Sequence, residues 1–175
     1  MKRHLRSWAL ALTLTGVAAP VAAQSIAGPY LAGRQAIKSS DFEKAAEFFT
    51  MALARDTRNA GLMEDTILSQ IGVGAIARAL PVARLVEASN MRSQAAHMVV
   101  STALLKEENY AAFLERDPQA LGIGPLVDGL LKAWAQVGIG DMEAARTTFD
   151  EVAEQQGLRG FALYHQAMAY ASVGD

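Results

Sequence analysis

Few residues in this chain could do chemistry, and each has a plain structural use beside it. Residues 72–77 spell Gly72-Val73-Gly74-Ala75-Ile76-Ala77 after the apolar stretch 67–71. In nucleotide-binding folds such a Gly-x-Gly-x-x-Ala phrase brings backbone close to a pyrophosphate. It needs a strand before it and an acid roughly 20 residues on. No strand pattern precedes it here, Glu87 comes too early, and Gly74 fits a turn between helices. Of the 3 histidines, His4 belongs to the N-terminal segment, and His97 and His165 stand alone, with no second ligand four residues away. A metal site needs three or four converging ligands, so both read as surface or partly buried structural residues. Glu64-Asp65 and Glu107-Glu108 are sequence neighbours, so their carboxylates diverge around a helix instead of converging on one bond. With 0 cysteines, disulfides, thiolate ligands and a thiol nucleophile are excluded. No serine elbow, Walker loop or His-Glu-x-x-His helix is present. The expectation is a protein without catalytic, metal-binding or cofactor-binding residues.

The elements that position these residues begin after an address. Lys2, Arg3 and Arg6 precede an apolar stretch over 8–19 and a small-residue exit, Val21-Ala22-Ala23, the layout of a cleavable signal peptide over residues 1–23. A retained anchor is the competing reading. Pro20 and the small residues close the apolar run short of the roughly 20 residues that a spanning helix needs. The reading is therefore export, to the periplasm first and full secretion second, with no integral membrane span after cleavage. Loss of Lys2, Arg3 and Arg6 leaves 13 of the 16 basic residues against 18 acidic ones, a net charge of −5. The basic residues are scattered singly, which argues against nucleic acid, whose phosphates call for clustered Lys and Arg.

A repeat organises what remains. Asp41-Phe42-Glu43-Lys44-Ala45 with Phe49 is echoed by Asp141-Met142-Glu143-Ala144-Ala145 with Phe149, and Asn109-Tyr110-Ala111 restarts the phrase between them. The restarts fall 68, 32 and 34 residues apart, ending at Asp175, and a step of 34 from Asp41 lands on Ala75. Such a period dictates a stack of helical hairpins. Helices that cross closely need small residues where backbones touch. Gly33, Ser101, Ala133 and Ala167 take that place mid-helix, with Ile67 in the second unit. Turns fall at Ser40-Asp41, Gly74, Glu108-Asn109, Gly140-Asp141 and Gly174-Asp175, residues that stop one helix and cap the next. Pro81 lies about six residues into one helix and should kink it or delay its start. Asp117-Pro118 should stop the helix from Tyr110 near Arg116, leaving 119–124 as an irregular bridge.

On these residues the chain resembles the tetratricopeptide repeat (TPR) family, best over 33–56 and 163–175, with Gly33, Ala45, Phe49, Ala52, Ala145 and Phe149 the most specific positions. Thr57 stands where the family's unit-closing proline is usual. The resemblance implies an all-α fold, a right-handed α-solenoid of antiparallel helix pairs. A linker over 24–28 leads into a repeat domain over 29–175, in units of about 29–59, 60–92, 93–124 and 125–159 and a half unit over 160–175. Because that half unit has no second helix, the 175 residues read as the front of a longer protein.

The resemblance also implies that the first helix of each unit lines a concave groove. Its groove-facing residues are Tyr30, Arg34, Lys38, Glu64, Leu68, Met98, Thr102, Leu130, Trp134, Tyr164 and Met168. Aromatic and Met side chains there suit an adaptable peptide or helix partner. The alternative, led by Leu130 and Trp134, is that several merely fill gaps between units. The family's clamp for C-terminal carboxylates is not expected, because Tyr30 and Arg34 occupy its Lys and Asn positions. The leading expectation is a protein-protein interaction scaffold. The competing class is the substrate-docking front of a longer cell-envelope enzyme, and further chain with or without a catalytic motif discriminates the two.

Overall fold

The computed structural model describes residues 25–116 and 122–174. The expected signal peptide and residues 119–121 of the expected bridge lie outside them. Nine helices and no strand occur among the described residues: α1 Ala27–Lys38, α2 Phe42–Leu53, α3 Ala60–Gly72, α4 Ile76–Ala88, α5 Gln94–Lys106, α6 Tyr110–Leu114, α7 Pro125–Gly138, α8 Met142–Ala153 and α9 Arg159–Val173. Each packs on the next, and α3 also touches α5 as α7 touches α9. The protein is thus all-helical, with consecutive packing consistent with a helical repeat. α1 starts at Ala27, inside the stretch read as linker.

The turns carry the repeat. At the ends of α1, α3, α5, α7 and α9, the residues Ser40, Gly74, Glu108, Gly140 and Gly174 adopt φ of 57°, 70°, 55°, 81° and 82°, the left-handed state that ends a helix. After the first four of these, the next N–H reaches back five residues to a carbonyl: Asp41 to Ala36, Ala75 to Gln70, Asn109 to Leu104 and Asp141 to Gln136, at 2.8–2.9 Å. These are Schellman bonds. The same residues then open the following helix. The carboxylates of Asp41 and Asp141 accept from the N–H of Lys44 and Ala144, and Asn109 Oδ1 accepts from Ala112 N. Ala75 has no side chain to do so, but it keeps the backbone form. One residue therefore closes one helix and starts the next.

Between helices, bulk meets absence of bulk. A Cβ on Gly33 would lie 2.8 Å from the Phe49 ring, and one on Gly72 would lie 2.8 Å from Phe42. One on Gly138 would lie 2.5 Å from Tyr110. Phe42 and Tyr110 are both first residues of second helices, so the same junction is built twice. Gly33, Ile67, Ser101 and Ala133 are buried as expected, but Ala167 is exposed. Pro81 does not delay α4, which begins at Ile76 and runs through it to Ala88, its start set by the turn at Gly74.

The core is three clusters. The first centres on Ala36, Ala45, Phe49, Ala52 and Leu62 of α1 to α3. The second gathers Met63, Ile67, Ala79, Ala83, Val86, Ala96 and Val99 of α3 to α5. The third comprises Ala133, Ala145, Phe149 and Ala169 of α7 to α9. The five-residue α6, ending two residues short of Arg116, buries none of its residues.

Candidate functional site

The expected groove residues fall at matching repeat positions. Tyr30, Glu64, Met98, Leu130 and Tyr164 are spaced 34, 34, 32 and 34 residues apart. Arg34, Leu68, Thr102, Trp134 and Met168 follow one turn later, and Lys38 one turn later still. All lie on α1, α3, α5, α7 and α9. Their environments divide them. Leu68, Met98, Tyr164 and Met168 are 49%, 38%, 65% and 44% exposed, and Arg34, Lys38 and Thr102 are exposed as well. Tyr30, Glu64, Leu130 and Trp134 are half-buried. The Tyr30 ring lies 6.2 Å from that of Phe49, and Glu64 Oε2 accepts from Ser93 Oγ at 2.5 Å. Trp134 stands edge-on to Phe149 at 6.4 Å between ring centroids, and its indole N–H donates to His165 Nδ1 at 3.1 Å. Leu130 packs on the same cluster. These four pack into the helix stack, Tyr30 within its own unit and Glu64 and Trp134 also across to the next one, and the exposed seven form the surface.

A second feature arises where α6 ends early. A hollow of about 160 Å³ stands there, lined by His97, Ser101, Phe113, Leu114, Arg116, Asp128 and others. Arg116 reaches back across it. Its guanidinium takes Glu87 of α4 with two bonds, at 2.5 and 3.2 Å, and meets His97 Nδ1 at 2.9 Å. An arginine accepts no hydrogen bond, so His97 Nδ1 must carry the lone pair and Nε2 the proton, which faces Ser101 Oγ at 3.5 Å. His97 is 5% exposed. Burial, then the adjacent Arg116, pushes its imidazole below the usual 6.5, with Glu87 and Asp128 opposing. The ring is a neutral acceptor whose one lone pair is already engaged.

The other chemistry singled out in sequence resolves locally. Residues 67–71 lie in α3 and form no strand. Gly72 makes room for Phe42, and Gly74 takes the left-handed turn. Glu64 and Asp65 diverge: the first holds Ser93, and burial holds the second above the usual carboxylate range despite Arg34. No group of three or more His, Asp or Glu fit to hold a metal occurs among the described residues, and none of their helices is long and apolar enough to cross a membrane.

Sequence reasoning missed the Glu87–Arg116–His97 cluster because it looked for partners within one helical turn. The partners are 19 and 29 residues apart and come from α4, α5 and the end of α6. The available signal was Asp117-Pro118, which ends the helix from Tyr110 and brings Arg116 to its end. Comparison of the chain with protein-family models, with curated proteins and with solved structures finds no match.

Proposed function

We propose that this chain is an exported scaffold of the TPR kind that binds a peptide or partner protein along the first helices of its units, after loss of its N-terminal signal, in the periplasm or outside the cell. One observation carries the reading. Large apolar side chains stay exposed at two matching repeat positions on three of the first helices, α3, α5 and α9, as Leu68, Met98, Tyr164 and Met168. Monomeric surfaces expose single apolar residues freely, whereas a recurring set suits a partner that spans several units. Arg34 and Lys38 add positive charge on α1, and so orient a partner whose nearby end is acidic. The half-buried Tyr30, Leu130 and Trp134 support the surface from beneath instead of touching the partner.

The test is photo-crosslinking from single positions in the intact chain, expressed with its own leader. Probes at Leu68, Met98 and Tyr164 are expected to capture one common partner. Probes at Leu31 and Ile139, which are equally exposed but lie off those positions, are expected to capture none. Equal capture from both sets would reject the assignment.

A further inference from the structure

Two repeat positions, read in two units, differ by one hydroxyl. Gln70 of α3 corresponds to Gln136 of α7, and Val82 of α4 to Thr148 of α8, each pair 66 residues apart. In the later unit Thr148 Oγ1 donates to Gln136 Oε1 at 2.8 Å. In the earlier unit valine has nothing to donate. Gln70 is 5% exposed, and its Nε2 donates to Thr50 Oγ1 at 3.3 Å. That orientation is fixed, because the Thr50 hydroxyl gives its own proton to Ala46 O at 2.6 Å and retains only the capacity to accept. Gln70 Oε1 is consequently buried with no hydrogen-bond partner, a desolvation cost that its counterpart avoids.

Gln70 and Val82 line one cleft of about 590 Å³, flanked by α2 and α4 over α3. Met51, Leu53 and Val82 supply apolar wall. Glu43 and Glu47, one turn apart on α2, bring two carboxylates against the single Arg78. Met51 and Arg78 are exposed, so the way in is bordered by side chains that swing and not by backbone alone. An occupant must offer an N–H donor to the amide oxygen, carry positive charge for the rim, and have an apolar stem.

We propose that this cleft binds a primary alkylammonium, the side chain of a lysine on a partner protein. The Gln70 amide, closed off from solvent at rest, turns outward past Val82 so that the ammonium directs one proton to Oε1 and its charge to Glu43 and Glu47, while the four-carbon stem lies on Met51, Leu53 and Val82. Arginine fits less well, because its planar fork seeks paired acceptors and a lone amide oxygen is a single one. The cleft shares no residue with the exposed positions on the first helices, so either assignment stands if the other fails.

The test is an NMR titration of the isotope-labelled chain with n-butylammonium chloride at constant ionic strength, with tetramethylammonium chloride as control. The Gln70 side-chain amide and the backbone amides of 46–53 are expected to shift saturably with butylammonium only, since tetramethylammonium has the charge but no N–H. Val82→Thr restores the hydroxyl found in the later unit. It is expected to weaken butylammonium at least tenfold, and Glu47→Gln several-fold. No saturable shift, an equal response to tetramethylammonium, or unchanged affinity in folded Val82→Thr protein would each overturn the proposal. The comparison of the two cations in the unaltered chain decides the matter even if the variant fails to fold.

Discussion

Glycine acts in two ways here, and the difference is measurable residue by residue. Gly33 sits under the Phe49 ring with no room for a Cβ, whereas a Cβ on Gly160 would meet nothing within 4 Å. Gly33→Ala is therefore expected to destabilise by about 1–3 kcal/mol through overpacking, and Gly160→Ala to stabilise by about 0.5 kcal/mol by restricting the unfolded chain. Urea unfolding of the two variants gives the signs directly. The Gly33 contact was legible in sequence, because small residues recur where helices cross. The His97 environment was not, since burial by other elements leaves no local mark. Its consequence is a pH dependence with a definite sign. The folded imidazole is held below its unfolded value of 6.5, so the unfolded state binds the extra proton first. Stability contributed by neutral His97 is full above pH 6.5 and falls as pH drops from there through the lowered folded value. Protonation also places an N–H against the Arg116 guanidinium, with Glu87, Asp128 and Lys132 as the other charges at hand. Urea midpoints measured from pH 7.5 to 5 should decline more steeply in the wild type than in His97→Gln. Parallel curves would contradict this account of the ring.

At the scale of the element, the repeat is a property of its turns more than of its helices. The four turns inside the units, after α1, α3, α5 and α7, share a left-handed residue, a bond back over five residues and a capping position, though the residues there change from Ser-Asp to Gly-Ala to Glu-Asn to Gly-Asp. That made the fold readable: the turns could be placed from residue type and spacing before any helix was weighed. What could not be placed was helix length. Pro81 stands inside an unbroken α4, whereas Asp117-Pro118 follows an α6 of only 5 residues, and both looked alike as breakers. Packing of α4 on both neighbours over its length offsets the lost bond, and α6 buries nothing that could do so. The turns also hold a correctable cost. Glu108 adopts φ 55°, a state that costs a residue with a Cβ about 1 kcal/mol, where Gly74 and Gly140 meet the same demand freely. Glu108→Gly is expected to raise stability by about 0.5–1 kcal/mol and Gly74→Ala to lower it by about 1 kcal/mol. Thermal unfolding followed by circular dichroism checks both, and a loss on Glu108→Gly would show that its side chain has a use the backbone does not reveal.

Across the whole molecule, stability in a stack is a sum of nearest-neighbour terms, and here that sum has a thin place. Among the described residues, two buried clusters join α1 through α5 and a third joins α7 through α9, and between them stand α6, which buries no residue, and the bonds that Gln94 of α5 donates to the carbonyls of Gly122 and Ile123. Cooperativity depends on apolar contact that is continuous, so the two blocks should unfold separately. The rear block has the smaller set of buried apolar side chains, Ala133, Ala135, Ala145, Phe149, Val152, Ala162 and Ala169, and should unfold first. Trp134 lies in that block against Phe149, and Trp8 is the other of the 2 tryptophans, so a Trp8→Phe chain reports the rear block alone by fluorescence. Circular dichroism of the same sample reports mainly the five helices in front, against three in the rear block. In a urea titration the fluorescence midpoint is expected below the dichroism midpoint. Phe149→Ala should lower the first by the equivalent of about 3–5 kcal/mol and leave the major dichroism transition in place. Coincident transitions in both proteins would mean that α6 and the Arg116–Glu87 bridge couple the blocks far more strongly than their burial implies, because a nearest-neighbour stack passes cooperativity only through the contacts it makes.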